Sequence, residues 1–561
     1  MTGPIDDSTR YLAAASHLDS AYADAAIREF LVEPARQVPP SPGFDAPTVL
    51  TEAVAARSRR KFRDGTLAVL ALMFLVTAFG SGLFFFWVGA AVLLGVRPIW
   101  SKMRSGGPGA LLSGVGKLIV LFALVLMIVL LVSGDLLDLL PRSSRSTYYD
   151  VSTANPLSSD ASELVAQIVA GLMLLILVAD RVVVWHLLTT RFGRAARTRM
   201  FRPQAVDERP SLSASPPRFR RELERHRLGR TPGADGAVSL IVYRGYNPFV
   251  GAGFARKPWS MALPLEKLAA KAKPDGSPFD ELTTVALYQR VTAAMEELQA
   301  SESLSPDRRL RQLKIEHAVY APADELIDHA HEPVAVPYLP HPEGPPAHFL
   351  PSHEAEAVRA QPREWARHYL CFQVETWDRD LLMSAYLHAA VDASTLYLEW
   401  TPCVLPPIRD EYRVVDKMVA GYLRPVGQGI LRWLKLPVTG LGRAWHTLKI
   451  IRPLPHDHTT RNPDRYGSAR TLRELGAADG VRDYFQLVDV ERYDKIMESR
   501  LIPAISRILR DCGYSPSTFE QRATEITTNN VVITGTNNAP IVMGGTNQGT
   551  ISGGTLQSSA N

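Results

Sequence analysis

Residues 65–96 read GTLAVLALMFLVTAFGSGLFFFWVGAAVLLGV, a long run without a charged side chain. As one straight α-helix this run would be about 48 Å long, whereas the hydrocarbon core of a bilayer is about 30 Å thick. Gly80-Ser81-Gly82 interrupts the run at its centre. We therefore predict a membrane-inserted helical hairpin with its tip at this triplet, in which each arm is roughly 22 Å long and thus short or re-entrant. One strongly tilted helix is the alternative.

Two further apolar runs are long enough to cross a bilayer. The first is Leu118–Gly134, which continues to Leu140, and the second is Leu164–Ala179, which continues past Asp180 and Arg181. The sequence thus predicts a membrane region over residues 61–192, with the hairpin and two transmembrane helices near Leu118–Leu140 and Ala161–Leu188. Asp180 and Arg181 are either an intramembrane functional pair or, as we favour, residues at the cytoplasmic interface.

The basic residues predict the orientation of these helices. The loop over residues 141–160 carries only Arg142 and Arg145, offset by Asp150 and Asp160. The positive-inside rule places this loop outside the cell and the basic flanks in the cytoplasm. These flanks hold Arg57, Arg59, Arg60, Lys61 and Arg63 before the hairpin, Arg97, Lys102, Arg104 and Lys117 after it, and Arg191, Arg194, Arg197, Arg199 and Arg202 after the last span. We predict a multi-pass plasma-membrane protein with both termini in the cytoplasm.

Composition excludes several classes of protein. The chain has 561 residues, a formal net charge of +5 and 21% charged side chains, so it has room for two or three structural units and is not globally disordered. This mild charge predicts no nucleic-acid partner. Three cysteines, none in a CxxC pair, disfavour a disulfide scaffold and fit a reducing compartment. The first 60 residues contain no apolar stretch, so no cleavable signal peptide is expected.

The soluble part is predicted to be α+β with a mixed or antiparallel sheet, of which we favour the antiparallel sheet. Strand-like runs occupy residues 237–243, 313–320, 368–377, 381–391 and 395–400, and the short connections between the last three favour a meander. Helical periodicity marks residues 282–299 and 484–512. We divide the chain into an N-terminal cytoplasmic helical or flexible segment (1–60), the membrane region (61–192), a linker (193–232), a cytoplasmic α+β domain (233–410), a basic amphipathic and helical region (411–525) and a tail (526–561).

No set of residues commits the chain to a reaction, and we predict no catalytic residues, metal site or cofactor. The segment YRGYNPFVGAGF at residues 243–254 could bring backbone amides of Gly245, Gly251 and Gly253 near an anion, but its spacing is neither GxGxxG nor a P-loop. A glycine-rich loop between strands is the preferred interpretation. His446, His456 and His458 lie near one another in the sequence, but a Pro-flanked loop is a poor scaffold for metal ligands.

The segment from Asp410 to Arg452 is basic and amphipathic. It carries two tryptophans among its lysines and arginines, a composition that suits contact with the inner leaflet. We predict that Trp433, Lys435, Arg443 and Trp445 lie at the membrane surface. Pro425 and Pro437 would keep its helices short. A solvated domain surface is the alternative.

The tail is uncharged over residues 526–561 and repeats itself. Gly535-Thr536-Asn537 returns as Gly545-Thr546-Asn547 and more weakly as Gly554-Thr555-Leu556. Short β-rungs that turn at Gly and Asn could stack and pair every backbone group, and the missing charge removes repulsion between stacked rungs. The residues predicted to mediate self-assembly are Val531, Ile533, Gly535, Asn537, Ile541, Met543, Gly545, Asn547 and Ile551. A disordered end is the alternative.

Two resemblances extend this interpretation. The segments YRGYNPFVGAGF (243–254), RHYLCFQVETW (367–377) and YDKIMESRLIPAISRILRDCGY (493–514) resemble a family of uncharacterised actinobacterial multi-pass membrane proteins over most of residues 60–530. The tail segment VVITGTNNAPIVMGGTNQGTISGG (531–554) resembles bacterial amyloid signalling motifs, without the glutamine-centred core of RHIM-type motifs. That second resemblance implies an effector whose C-terminal motif is templated by a matching motif on an NLR-type sensor, often in antiphage or cell-death defence.

These observations predict a membrane-anchored, non-enzymatic bacterial protein. Its partners would be the lipid bilayer and, through the tail, either itself as a homo-oligomer or a protein with a matching motif. Clustering could then perturb the bilayer, as a defence effector would. The alternative is a membrane-tethered ligand-binding or enzymatic domain of unknown substrate within residues 237–410. A transporter is disfavoured because there are few spans and no intramembrane charge network.

Overall fold

The computed structural model describes residues 7–40, 43–78, 84–85, 87–91, 159–194, 217–228, 236–269, 272–301, 304–378, 380–454 and 462–529. Its helices are α1 (Asp7–Leu18), α2 (Ser20–Phe30), α3 (Ala46–Ala78), α4 (Ser159–Leu187), α5 (Pro217–Leu228), α6 (Thr284–Glu296), α7 (Ala323–Asp328), α8 (Ser352–Ala360), α9 (Asp410–Arg413), α10 (Leu423–Leu434), α11 (Leu436–Leu448), α12 (Leu472–Gly476), α13 (Tyr484–Asp511) and α14 (Ser517–Asn529). A π-helical turn, Leu188–Phe192, extends α4.

The strands of the described residues form one mixed sheet. They are β1 (Val238–Tyr243), β2 (Phe254–Ala255), β3 (Trp259–Pro264), β4 (Lys314–Pro322), β5 (Phe349–Leu350), β6 (Arg367–Thr376), β7 (Leu381–Val391) and β8 (Thr395–Leu405). Their order is β2-β8-β7-β6-β4-β1-β5, and β3 also pairs with β8. The α+β prediction is confirmed, and of the two predicted sheet types the mixed one is observed rather than the favoured antiparallel one, because β1 pairs with β4 in parallel.

The meander β6–β7–β8 follows directly from the sequence pattern. Alternate residues of β6, namely Leu370, Phe372 and Val374, are fully buried on one face of the sheet. That face packs against α6 and α13, and Met497 and Leu501 of α13 lie in the same cluster at the i, i+4 spacing of one helix face. The apolar residues of the strand, which alternate, and those of the helix, which recur about every 3.6 residues, therefore pack in one core.

The opposite face of the sheet is aromatic. Tyr320 of β4, Tyr369 of β6 and Tyr386 of β7 are buried there around Phe249, which belongs to the glycine-rich loop between β1 and β2. The rings of Phe249 and Tyr386 are stacked with centroids 4.0 Å apart. The loop is thus fixed to the sheet by its own aromatic residue.

The N-terminal helices share a core with distant parts of the chain. Leu12 of α1 and Ile27 of α2 are fully buried in a cluster that also contains Val49 of α3, Tyr412 of α9 and Leu472 of α12. Burial of this kind contributes about 1.5–3 kcal/mol for each large apolar side chain. The N-terminal helices are thus held in place by segments that follow the sheet in the chain.

One helical segment of the described residues, Ser162–Phe192, is long and apolar enough to cross a membrane. The predicted span Leu118–Leu140 lies outside the described residues, so two transmembrane helices remain a prediction. Around the predicted hairpin, the rings of Phe74 and Trp87 meet edge to face with centroids 4.8 Å apart. Thirteen positions of a straight helix would separate them by about 19 Å, so a single straight helix does not contain both residues.

Candidate functional site

Helices α3 and α4 form an antiparallel pair. Arg191 lies 3.4 Å from Glu52 near one end of the pair, and the Arg63 Nη1 atom donates to the Asp180 carboxylate at 2.7 Å further along. These contacts advance from Glu52 to Arg63 along α3 and go back from Arg191 to Asp180 along α4, which is the pattern of antiparallel helices. Beyond Asp180, the two helices pack through a wholly apolar cluster that includes Phe74.

Both helices expose apolar side chains along one face. On α3 the exposed residues Val69, Leu72, Met73 and Val76 follow the i, i+3, i+4, i+7 spacing, and on α4 the exposed residues Leu164, Ile168, Leu172 and Leu175 follow i, i+4, i+8, i+11. Each set forms a stripe along its helix. Exposed apolar stripes of this extent mark a contact with another molecule or with lipid.

Helices α10 and α11 lie against this pair. Gly429 of α10 packs so closely on α4 that a Cβ atom there would lie 2.7 Å from the Cα atom of Val178. Trp433 stacks on Trp87 with ring centroids 5.5 Å apart, and the Trp87 Nε1 atom donates to the Trp433 carbonyl at 2.9 Å. The amphipathic segment is therefore held against the α3–α4 pair.

The four residues predicted to lie at the membrane surface have different surroundings. Trp433 is half-buried against Trp87, whereas Trp445 is 73% exposed. Lys435 is half-buried between α10 and α11. Arg443 turns inward, with its Nη1 atom 3.9 Å from the Asp64 carboxylate. Trp445 lies on a stripe of exposed apolar residues of α11, at the i, i+3, i+7, i+10 positions Val438, Leu441, Trp445 and Leu448.

A cationic pocket lies at the charged end of the α3–α4 pair. It has a volume of about 360 Å³ and is lined by residues of α1, α2, α3, α4, α10 and α11. Six arginines and two aspartates line it, an excess of four positive charges with the histidines neutral. The Asp180 carboxylate lies 2.7 Å from Arg63 and 3.3 Å from Arg59, so it pairs with arginines of α3. The location of Asp180 and Arg181 at the cytoplasmic interface stays a prediction.

Backbone amides of the glycine-rich loop bind a carboxylate of the same chain, that of Glu474. The Glu474 Oε1 atom accepts hydrogen bonds from the backbone amides of Gly251 and Gly253, both at 3.0 Å. Its Oε2 atom accepts from the Thr471 amide at 2.7 Å, within the capping box of α12. Burial raises the pKa of the Glu474 carboxyl, and these hydrogen bonds oppose that rise. The interpretation of this segment as a structural loop therefore fits its geometry.

A half-buried acid pair, Asp494 and Glu498, lies on α13 beside the sheet. The Trp400 indole donates to Asp494 at 3.3 Å, and the Trp259 indole donates to Glu498 at 2.9 Å. Burial and the neighbouring Glu498 raise the pKa of Asp494 to about 7. The cleft above the pair holds only about 30 Å³, roughly the volume share of one water molecule. This cleft is too small for an organic substrate.

His368 and His388 of the sheet are buried, and the neighbouring His317 is half-buried. The His317 Nδ1 atom lies 3.2 Å from the His368 Nε2 atom, and burial lowers the pKa of His317 to about 4. His446, from the region of clustered histidines, lies 3.0 Å from the Asp24 carboxylate, while His456 and His458 fall outside the described residues. The described part of the chain contains no group of three or more His, Cys, Asp or Glu side chains arranged to hold a metal.

Sequence reasoning missed the cationic pocket because its residues come from distant segments. The sequence places Arg59, Arg60 and Arg63 in a basic flank of the predicted hairpin, Arg432 in the basic amphipathic segment, and Arg181 at the end of the last apolar run. The signal in the sequence that could have identified the pocket is that these arginines lie near the ends of apolar runs. The predicted self-assembly residues, Val531 to Ile551, lie outside the described residues.

Comparisons with known proteins place much of the chain in a family. A family model described as an AbeC-like domain matches residues 258–542. The match contains RHYLCFQVETW and YDKIMESRLIPAISRILRDCGY but begins after YRGYNPFVGAGF. No curated protein and no solved structure matches the chain. Actinobacterial origin and multiple membrane passes remain predictions. Because the matched region is half of the chain, this protein belongs to the AbeC-like domain family.

Proposed function

We propose that this protein is a non-enzymatic, membrane-anchored member of the AbeC-like family. Its α+β body would be held at the bilayer by α3, α4, α10 and α11. The observation that carries the proposal is the set of exposed apolar stripes on α3, α4 and α11, which a water-soluble surface would not favour. The sequence of α4 from Ser162 to Phe192 supports it independently.

The dimensions of α4 fit this arrangement. The stretch from Ser162 to Ala179, whose one charged residue is Glu163 at its outer end, precedes the first charged residue of the cationic pocket on this helix, and a helix of that length extends about 27 Å. That value is close to the hydrocarbon thickness of a bilayer. Asp180 and Arg181 then lie at the interface, where arginines can reach water and lipid phosphates.

We further propose the predicted topology, with a hairpin over residues 65–96, a span near Leu118–Leu140 and both termini in the cytoplasm. Contact between Phe74 and Trp87 supports a reversal of the chain within the hairpin segment. The basic flanks support the orientation. On this topology the α+β body and the AbeC-like domain lie on the cytoplasmic side.

A cysteine-labelling experiment tests the anchoring. Leu172→Cys on α4 and Leu441→Cys on α11 are expected to react with a membrane-impermeant maleimide at least tenfold more slowly in inside-out membrane vesicles than after solubilisation, because lipid covers both positions. Ser499→Cys on the exposed face of α13 is the matched control and should react equally fast in both conditions. The unmodified chain measures the background from Cys371, Cys403 and Cys512. Equal labelling of all three variants in vesicles would contradict the proposal.

For the tail we propose self-assembly, or templating by a partner with a matching motif. The support is the internal repeat together with the exclusion of charge from residues 526–561. Clustering of the tails would concentrate the membrane helices, and a role as a membrane-perturbing defence effector follows from that clustering.

The tail proposal predicts a large effect of charge. Ile533→Lys combined with Ile541→Lys should abolish clustering of the full-length protein and thioflavin binding by a peptide of residues 527–561, because like charges would repeat about every 4.8 Å in a stack. Ser558→Lys, beyond the repeat, should leave both signals unchanged. A tail peptide that stays monomeric at high concentration would exclude self-assembly.

A further inference from the structure

The cationic pocket has far more positive charge than its own acids can neutralise. Its arginines are Arg59, Arg60, Arg63, Arg181, Arg432 and Arg443, and only Asp64 and Asp180 line it with them. Arg63 takes most of both carboxylates, since it donates to Asp64 through Nε at 2.8 Å and through Nη2 at 3.0 Å and to Asp180 through Nη1 at 2.7 Å. Arg63 therefore takes up much of the hydrogen-bonding capacity of these two carboxylates.

Several arginine donors in the pocket are left open. Arg60 is 8% exposed, and only its Nη1 atom is used, in a hydrogen bond to the Ser16 carbonyl at 2.9 Å. Its Nε and Nη2 atoms are buried without a hydrogen-bond partner among the described residues, as are the Nε atom of Arg181 and the Nη1 atom of Arg443. Buried donors without partners are costly, so such a group of them indicates a site for an acceptor from another molecule.

The electrostatics indicate that the acceptor is an anion. Burial lowers the pKa of Arg432 to about 9, and the charges of Arg181 and Arg63 add to the effect. Burial together with Arg59 lowers the pKa of Arg60 to about 10. Both side chains remain protonated at pH 7, so the repulsion among the arginines persists there. A bound anion would offset that repulsion and accept the open N–H groups.

The position of the pocket identifies the source of the anion. It lies where the apolar stretch of α3 begins, a turn below the buried Leu67, and where the apolar stretch of α4 ends at Asp180. Helices α10 and α11 complete it from the side, and α11 exposes Leu441 and Trp445 near the same end. A ligand with phosphate in the pocket could thus place acyl chains along the exposed apolar stripes. A volume of about 360 Å³ falls within the usual range of ligand pockets, about 300–1,000 Å³.

We propose that this pocket binds the headgroup of an anionic phospholipid that carries at least two negative charges, through Arg60, Arg181, Arg432 and Arg443. The excess of four positive charges favours such a headgroup over one with a single phosphodiester. The proposal rests on the proposed membrane anchoring and names the lipid class that the anchor would select. Inorganic phosphate shares the chemistry but lacks the acyl chains.

The test uses the full-length protein in nanodiscs. In phosphatidylcholine discs with a small mole fraction of diphosphatidylglycerol, the thermal unfolding midpoint of the unmodified protein should rise relative to pure phosphatidylcholine, and diphosphatidylglycerol should co-purify after extraction. Arg60→Gln combined with Arg432→Gln should reduce the co-purified lipid at least tenfold and remove the rise. In pure phosphatidylcholine the double variant should unfold at nearly the same temperature, because reduced repulsion among the arginines offsets the loss of the Arg60 hydrogen bond to the Ser16 carbonyl. A merely misfolded variant would unfold at a lower temperature there.

The matched control is Arg424→Gln with Arg452→Gln, two exposed arginines of the same region that do not line the pocket. This control should retain both the lipid and the rise. Equal retention of lipid by the pocket variant would overturn the proposal. A rise produced by inorganic phosphate in pure phosphatidylcholine discs would overturn the lipid as the source. Anchoring is tested separately, since the pocket variant should remain in the membrane fraction and only a chain that leaves this fraction contradicts the anchoring.

Discussion

Gly253→Ala is expected to destabilise the α+β body by at least about 3 kcal/mol, the cost of forcing two strands apart in a well-packed core. Gly253 has a φ of +82°, and a Cβ atom built there would lie 2.2 Å from the Val404 carbonyl oxygen and 2.7 Å from the Leu405 Cα atom. Both atoms belong to the backbone of β8, which cannot move without disturbing its pairing with β7. The new methyl group would displace β2 and release the Gly253 amide from Glu474.

Gly245→Ala is the matched control, in the same loop and at nearly the same φ. Gly245 has a φ of +83°, and a Cβ atom there would meet no other atom within 4 Å, so only the backbone strain of about 1 kcal/mol applies. Thermal unfolding followed by far-ultraviolet circular dichroism in detergent compares the two variants. Similar midpoints for both would show that the loop does not pack on β8 as described.

The elements that sequence reasoning found are those with local signals. The run Leu381–Val391 coincides with β7, and the helical periodicity of residues 484–512 coincides with α13 despite Pro503. Both segments bury apolar residues at the regular spacing of their secondary structure, so the sequence pattern predicts these elements correctly. The edge strand β3 was missed because its burial alternates over a short stretch and it contains Pro264.

Features that depend on long-range contacts could not be predicted in this way. The parallel pairing joins β1, which ends at Tyr243, to β4, which begins only at Lys314, and nothing in either strand specifies the direction. The glycine amides were recognised as a possible anion site, but their anion, Glu474, comes from a distant part of the chain. The cationic pocket has the same origin, since its arginines belong to α3, α4, α10 and α11.

The family match places the segment that docks the α+β body on α3 and α4 within the AbeC-like domain. Helices α10 and α11 lie inside residues 258–542, whereas α3 and α4 lie outside. The domain therefore supplies its own amphipathic docking surface to helices that precede it in the chain. A change in how α10 sits on α4 would alter the cationic pocket at the same time, because Arg432 belongs to α10 and Arg181 to α4.

Gly429→Ala should disrupt this docking by about 2 kcal/mol or more, in spite of the better helix propensity of alanine. The added Cβ atom would lie 2.7 Å from the Val178 Cα atom and 2.8 Å from its Cγ2 atom, so α10 would have to move away from α4. Separation of the helices would also pull Trp433 from its stacking partner Trp87. Limited trypsin digestion in detergent should then cleave after Arg432, which is half-buried in the docked helix, at least tenfold faster.

Gly427→Ala is the control on the same helix, and its expected effect on the rate of trypsin cleavage is opposite to that of Gly429→Ala. No atom lies within 4 Å of a Cβ position at Gly427, so alanine there gains only helix propensity, about 0.8 kcal/mol, and should slow the cleavage. Two glycines two positions apart are thus expected to respond in opposite directions to one substitution, because only one of them faces α4. Faster cleavage in both variants, or in neither, would mean that α10 does not pack on α4 through Gly429. The pocket formed by Arg432 and Arg181 would then lose its structural basis.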